Sequence, residues 1–327
     1  MSAAGPHGLA VAVGHFCLFT SEAALVGVLV VSVLVLRPAL CGATEGPPIV
    51  RTMVAARLAL VLDVSLAVAA AATLGLLLAQ AGLLTRLEGT GLGTGSLPVV
   101  LDTHVGQWEV LRLGLLAALA LVLHGRVARG LLAVGGETRL PRLWWSSWTG
   151  LSVGLLVSVS LTGHAGTAGP LIVLADAIHL AAGAAWLAGV AVLAAVLPAS
   201  LAGLRPIDQE RVLSRTVGAF SRLALVAVPV VAVTGTLNAL MDVSRLNDLR
   251  VTGYGQALAM KLWLFAWVLA FGGVNHYRLR HRLAGSHGAV ATTRARQVLS
   301  LTVTGELLFG LLVVAATSLL VGLPKTG

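Results

Sequence analysis

Apolar residues in this chain neither alternate at the two-residue period of a half-buried strand nor form the narrow stripe of a surface helix. They run in blocks long enough to cross a bilayer. A hydrocarbon core about 30 Å thick needs about 20 apolar residues per helix. Blocks near residues 9–36, 54–78, 107–123, 144–162, 171–197, 217–241, 254–275 and 298–321 predict an all-α polytopic membrane bundle of about eight transmembrane helices. Pro38, Pro47, Pro48, Pro141, Pro170, Pro198 and Pro206 fall in or beside the connections, where a missing N–H matters least. Pro229 lies inside the sixth block and is expected to kink it. No internal repeat stands out and no soluble appendage is visible, so residues 1–327 read as a single membrane domain.

Composition agrees. The chain is 57% hydrophobic and only 11% charged, with a mean hydropathy of +0.94, whereas soluble domains carry roughly a quarter charged residues. A water-soluble globule is thereby excluded. The net charge of +9 raises nucleic acid as a partner, but the positions of the basic residues explain it by topology. Alternate connections carry Arg37, Arg51 and Arg57; Arg126, Arg129, Arg139 and Arg142; Arg205, Arg211 and Arg215; then Arg278, Arg280, Arg282, Arg294 and Arg296. The other connections carry only Arg86, Arg245, Arg250 and Lys325. The positive-inside rule then places both termini outside the cytoplasm, with membrane lipid as the partner and no nucleic acid. The first residues lack the basic region of a cleaved signal peptide, so the first block is expected to stay as a helix. Cys17 and Cys41 sit at opposite ends of that block, too far apart to bridge. The longest external connection is the glycine-rich stretch 79–106; the connection 163–170 reads GHAGTAGP.

With this topology His7, His15, His104, His164 and His179 lie toward the outside, and His124, His276, His281 and His287 at the arginine-rich cytoplasmic edge, where headgroup contact explains them. A histidine inside hydrocarbon needs a partner, which makes His15 and His179 candidates for function. Asp176, His179, Gly183 and Trp186 follow i, i+3, i+7 and i+10 spacing and share one face of the fifth helix. An Asp one turn from a His can accept its ring proton and leave the other nitrogen for a metal. A capping Asp, an interfacial His and a belt Trp fit the same spacing. Cys17 and Met241 are soft groups suited to copper, and equally ordinary apolar residues. Glu22, Asp63, Asn238 and Glu306 lie within membrane depth, as glue between helices or as a path inward from the outer site, with Glu22 favoured for the path and Asp63 and Glu306 for glue. No P-loop, dinucleotide fingerprint, HExxH or CxxC motif is present, so soluble-enzyme chemistry has no support.

The stretch GHAGTAGPLIVLADAIHLAAGAAWLAG, residues 163–189, resembles the copper resistance D family of bacterial inner-membrane proteins, with its His-containing loop and Asp-x-x-His helix ending in Trp-x-x-Gly. Phe220-Ser-Arg-Leu-Ala, Gly235-Thr-Leu-Asn238, Thr252-Gly-Tyr254-Gly255, Lys261 and Asn275 are similar to the same family, and the likeness is best over residues 144–283. Asp102-Thr-His-Val-Gly106-Gln-Trp108 resembles the family's Thr-x-x-Gly-x-x-Trp helix start. The chain departs from the family where Asn275-His276 replaces Asn-Arg, and His15 and Cys17 are features of this sequence alone.

The resemblance implies a copper-binding protein of the bacterial plasma membrane, taking part in copper transport or tolerance and not an enzyme. His164, Asp176 and His179 inherit the family's candidate copper positions, with His15 and His104 as further ligands read from this sequence. Without an ATP motor, copper would move by a gradient, by proton coupling or by hand-over from an external carrier protein. Two other classes remain open: a haem- or quinone-linked redox protein, with haem held between facing histidines, His15 with His179 being one pairing, and electrons exchanged with quinone, and a delivery partner that loads copper into a membrane oxidase.

Overall fold

The computed structural model describes residues 6–41, 48–87, 96–124, 130–132, 140–163, 166, 168–242, 248–283 and 289–321. The long helices are α1 (Pro6–Val31), α3 (Pro48–Leu87), α5 (His104–Leu123), α6 (Arg142–Thr162), α7 (Pro170–Ala191), α9 (Pro206–Asp242), α11 (Gly253–Leu283) and α12 (Ala289–Val321). Short segments α2 (Arg37–Leu40), α4 (Ser96–Asp102), α8 (Leu197–Leu201) and α10 (Asp248–Val251) lie between them. Among the described residues seven helical stretches are long and apolar enough to span a bilayer. The expected fourth span exists as α6, but Ser146, Ser147, Ser152, Ser158, Ser160 and its threonines make it less apolar than the rest. Leu121, Leu171 and Leu301 stand 81%, 78% and 74% exposed, an apolar surface that suits lipid and not water.

Side-chain contacts fix the direction of each helix. Arg37 stacks over Trp145 and the Trp148 indole donates to the Leu25 carbonyl at 3.2 Å, so α1 and α6 run antiparallel. Trp144 donates to Val122 O and Arg112 to Thr162 Oγ1, which makes α5 and α6 antiparallel. Gly189 meets Phe220 and Gly235 meets His179, which does the same for α7 and α9. At the centre α1 crosses α7 closely because Gly27 leaves room for the Ala184 carbonyl and Ala188. Helix α9 continues through Pro229, whose missing N–H falls on an exposed face.

The sequence shows no repeat by hydropathy, yet the structure has one. α1 packs on α3, α6 and α12; α7 packs on α9, α12 and α6. Both central helices end in a π-turn, Ser32–Leu36 and Val192–Val196, followed by a short helix carrying Pro38 or Pro198. Arg57-Leu-Ala-Leu-Val61 in α3 recurs as Arg222-Leu-Ala-Leu-Val226 in α9. Thr103-His-Val-Gly106-Gln107 at the start of α5 recurs as Thr252-Gly-Tyr-Gly255-Gln256 at the start of α11, with Arg112 and Lys261 in the same register beyond them. The two threonines do the same work: Thr103 Oγ1 accepts from Gly106 N–H at 3.0 Å and Thr252 Oγ1 from Gly255 N–H at 2.9 Å. Each caps a helix whose first N–H groups would otherwise be unsatisfied in an apolar setting.

Candidate functional site

The strongest polar centre lies where α7, α9 and α11 meet. His179 projects from α7 against α9 at Gly235, where α9 has no side chain. A Cβ on Gly235 would come within 2.9 Å of His179 Cε1. This lets the imidazole reach the backbone: Nδ1 lies 3.1 Å from Val231 O and 3.1 Å from Thr234 Oγ1. A carbonyl only accepts, so Nδ1 carries the proton. Thr234 turns its own hydroxyl hydrogen to Val230 O at 2.6 Å and presents a lone pair to the ring. Nε2 is left as an unprotonated lone pair, the form that binds metal ions. The expectation that Asp176 takes the ring proton is corrected by this geometry. Asp176 Oδ1 instead accepts from Asn238 Nδ2 at 2.8 Å, tying α7 to α9 one turn beyond the histidine. Asn238 Oδ1 is buried and has no hydrogen-bond partner among the described residues. Lys261 of α11 acts on His179 electrostatically.

Further along the same face of α7, Trp186 is buried and donates to Glu306 Oε1 of α12 at 3.2 Å, so it is an interhelical strut and not part of an aromatic belt. Gly310 gives the indole its space. Glu306 therefore joins helices, as expected of glue. Asp63 does not, since its side chain is exposed on the outside of α3.

A second polar centre lies between α1, α5 and α6. Arg112 is 1% exposed and donates from Nε to Ser158 Oγ at 3.0 Å, and from Nη2 to Ser158 O at 3.0 Å and Thr162 Oγ1 at 2.9 Å. Glu22 Oε1 lies 3.5 Å from Arg112 Nε. Glu109, one turn before Arg112 on α5, accepts from Gln80 Nε2 of α3 at 3.0 Å. Glu109 and Arg112 are absent from the candidates read out of the sequence, although a carboxylate and a guanidinium three residues apart inside an apolar block are a signal for a buried pair.

The remaining candidates fall elsewhere. His15 hydrogen-bonds Val11 O through Nδ1 at 2.9 Å, packs on Phe19 and interacts with Arg112, so it belongs to the second centre. His104 is the first residue of α5; its exposed ring accepts the Trp108 indole N–H at Nε2, 3.0 Å away. Cys17 is a free thiol and Met241 is 57% exposed. His164 lies outside the described residues. Among the described residues no three His, Cys, Asp or Glu side chains converge as a metal-holding group, and His15 and His179 sit in different centres.

The family model Copper resistance protein D matches residues 214–320. That span is α9 to α12 and supplies Thr234, Gly235, Asn238 and Lys261, while Asp176 and His179 come from the helix before it. The chain is 28% identical over 263 residues to the copper transport protein CutJ of Bacillus subtilis (strain 168), an alignment covering 78% of this chain and 44% of that protein. The chain thus spans less than half the length of the curated relative it matches. No solved structure matches it. Residues 214–320 thus match the copper resistance D family, the similarity to a copper transport protein runs through most of the chain, and the apolar helices make the chain a multi-pass membrane protein that is similar to that family.

Proposed function

We propose that the protein binds copper at the centre formed by His179, Thr234, Gly235 and Asn238 and takes part in copper transport or tolerance, without catalysing a covalent step. The observation that carries this reading is the state of the His179 ring. Nδ1 is anchored on the α9 backbone over Gly235, and Nε2 is free of hydrogen bonds among the described residues. A histidine held by one nitrogen and open at the other is the arrangement that orients a metal ligand. Asn238 Oδ1, buried and without a hydrogen-bond partner among the described residues, is an oxygen available to cargo passing the ring. His164, in the connection leading into α7, is the residue we assign as a further imidazole ligand; Asp176 holds Asn238 in place. Arginine asymmetry supports placing this end of the bundle on the outer side of a bacterial plasma membrane, where an external copper carrier would deliver.

The test is copper movement. Vesicles reconstituted with the protein should take up or release copper faster than protein-free vesicles, and His179→Ala should bring the rate back to the protein-free level. Equal rates in the parent and in His179→Ala would remove His179 from the pathway.

A further inference from the structure

The Arg112 centre is left unused by the copper reading, and its chemistry differs from that of the His179 centre. Glu22 and Glu109 are each 3% exposed and Arg112 1%. Glu22 Oε1 and Glu109 Oε2 are buried oxygens with no hydrogen-bond partner among the described residues. Both carboxylates interact electrostatically with the same guanidinium. Around them α3 contributes Gln80, α6 contributes Ser158 and Thr162, and His15 of α1 is a further titratable group interacting with Arg112.

The charge count decides what such a centre holds. Two ionised carboxylates beside one guanidinium leave a net negative charge in a low-dielectric interior, which is costly. One added proton makes the centre neutral. A metal cation is a poor alternative, because the guanidinium beside the carboxylates already supplies the positive charge that a metal would bring. The internal repeat adds a second argument. Arg112 occupies the register that Lys261 occupies in the second half, each set by the same Thr-capped helix start, so a basic residue near a polar centre is built into both halves.

We propose that Glu22, Glu109 and Arg112 form an intramembrane proton-binding site that holds one exchangeable proton between the two carboxylates. In the loaded state one carboxyl is protonated and the other is paired with Arg112. In the unloaded state the proton has passed to water and both carboxylates face the single guanidinium. The site is independent of copper and is tested on metal-free protein in the presence of a chelator.

Infrared difference spectra of the purified full chain, taken between neutral and alkaline pH, should contain a protonated-carboxyl C=O component that disappears on alkalinisation. Glu22→Gln and Glu109→Gln should each abolish that whole component, since the remaining carboxylate then pairs with Arg112 and needs no proton. Glu306→Gln should leave it in place. A component that persists in both single variants, or that each removes only by half, would overturn the shared-proton site. For the unaltered protein, an apolar carbodiimide, which attacks protonated carboxyls, should modify Glu22 or Glu109 at neutral pH and lose that reaction at alkaline pH. No modification of either residue would also overturn it.

Discussion

The two polar centres stand at the same end of the bundle, in matching halves, and yet they differ in chemistry. In the second half the basic residue acts on an imidazole that meets a hydroxyl, and a glycine brings the ring against a bare stretch of backbone. In the first half the equivalent helix carries its own carboxylate, Glu109, and meets Glu22 from the central helix. The repeated Thr-x-x-Gly-Gln start thus provides a frame, and the chemistry resides in the few side chains turned toward the basic residue. An open imidazole nitrogen suits a metal ion such as copper, while surplus carboxylate suits a proton.

The largest effect should come from breaking the first centre. Arg112→Met leaves two buried carboxylates without a counter-charge and should cost about 3–5 kcal/mol of stability, seen as loss of folded protein in thermal unfolding in detergent. Adding Glu22→Gln and Glu109→Gln to that variant should recover most of the loss. In the second centre, Gly235→Val should abolish copper binding and cost about 1–3 kcal/mol by overpacking, because its Cβ would lie 2.9 Å from the His179 ring. Asn238→Ala strips Asp176 Oδ1 of its amide donor and should cost about 1–3 kcal/mol, with weaker copper affinity as the second readout.

The smallest effects sharpen the comparison between halves. Thr103→Ala and Thr252→Ala each remove one helix cap and should each cost about 1 kcal/mol. Near-equal losses would support a shared frame; a large loss at one threonine alone would argue that the resemblance of the two helix starts is only local.

Much of the bundle was legible in the sequence, because twenty-residue apolar blocks have few other uses. The ends were less so. α3 begins at Pro48 and α9 at Pro206, well before the apolar blocks, since a helix continues into the headgroup region wherever exposed side chains such as Arg211 can reach water along its flank. Of the second centre, the Asp176–His179 spacing and the Gly235 and Asn238 motif positions were readable, but their pairing was not. Which atom of α9 receives the His179 proton depends on the register between two helices, and spacing within one helix does not encode that. Arg112 went unread for a related reason: a charge near the start of an apolar block looks the same whether it reaches for the headgroups or is sealed between helices. The repeat was hidden because apolar blocks tolerate exchange among Leu, Val and Ala, so only the caps, the π-turn prolines and a few polar residues keep its trace.

The most direct measurement is the copper content of the purified protein after loading and desalting, determined by elemental analysis beside His179→Ala. About one equivalent in the parent and none in the variant is the expected result. Full copper retention in a folded His179→Ala protein would contradict the assignment of the cargo to this centre.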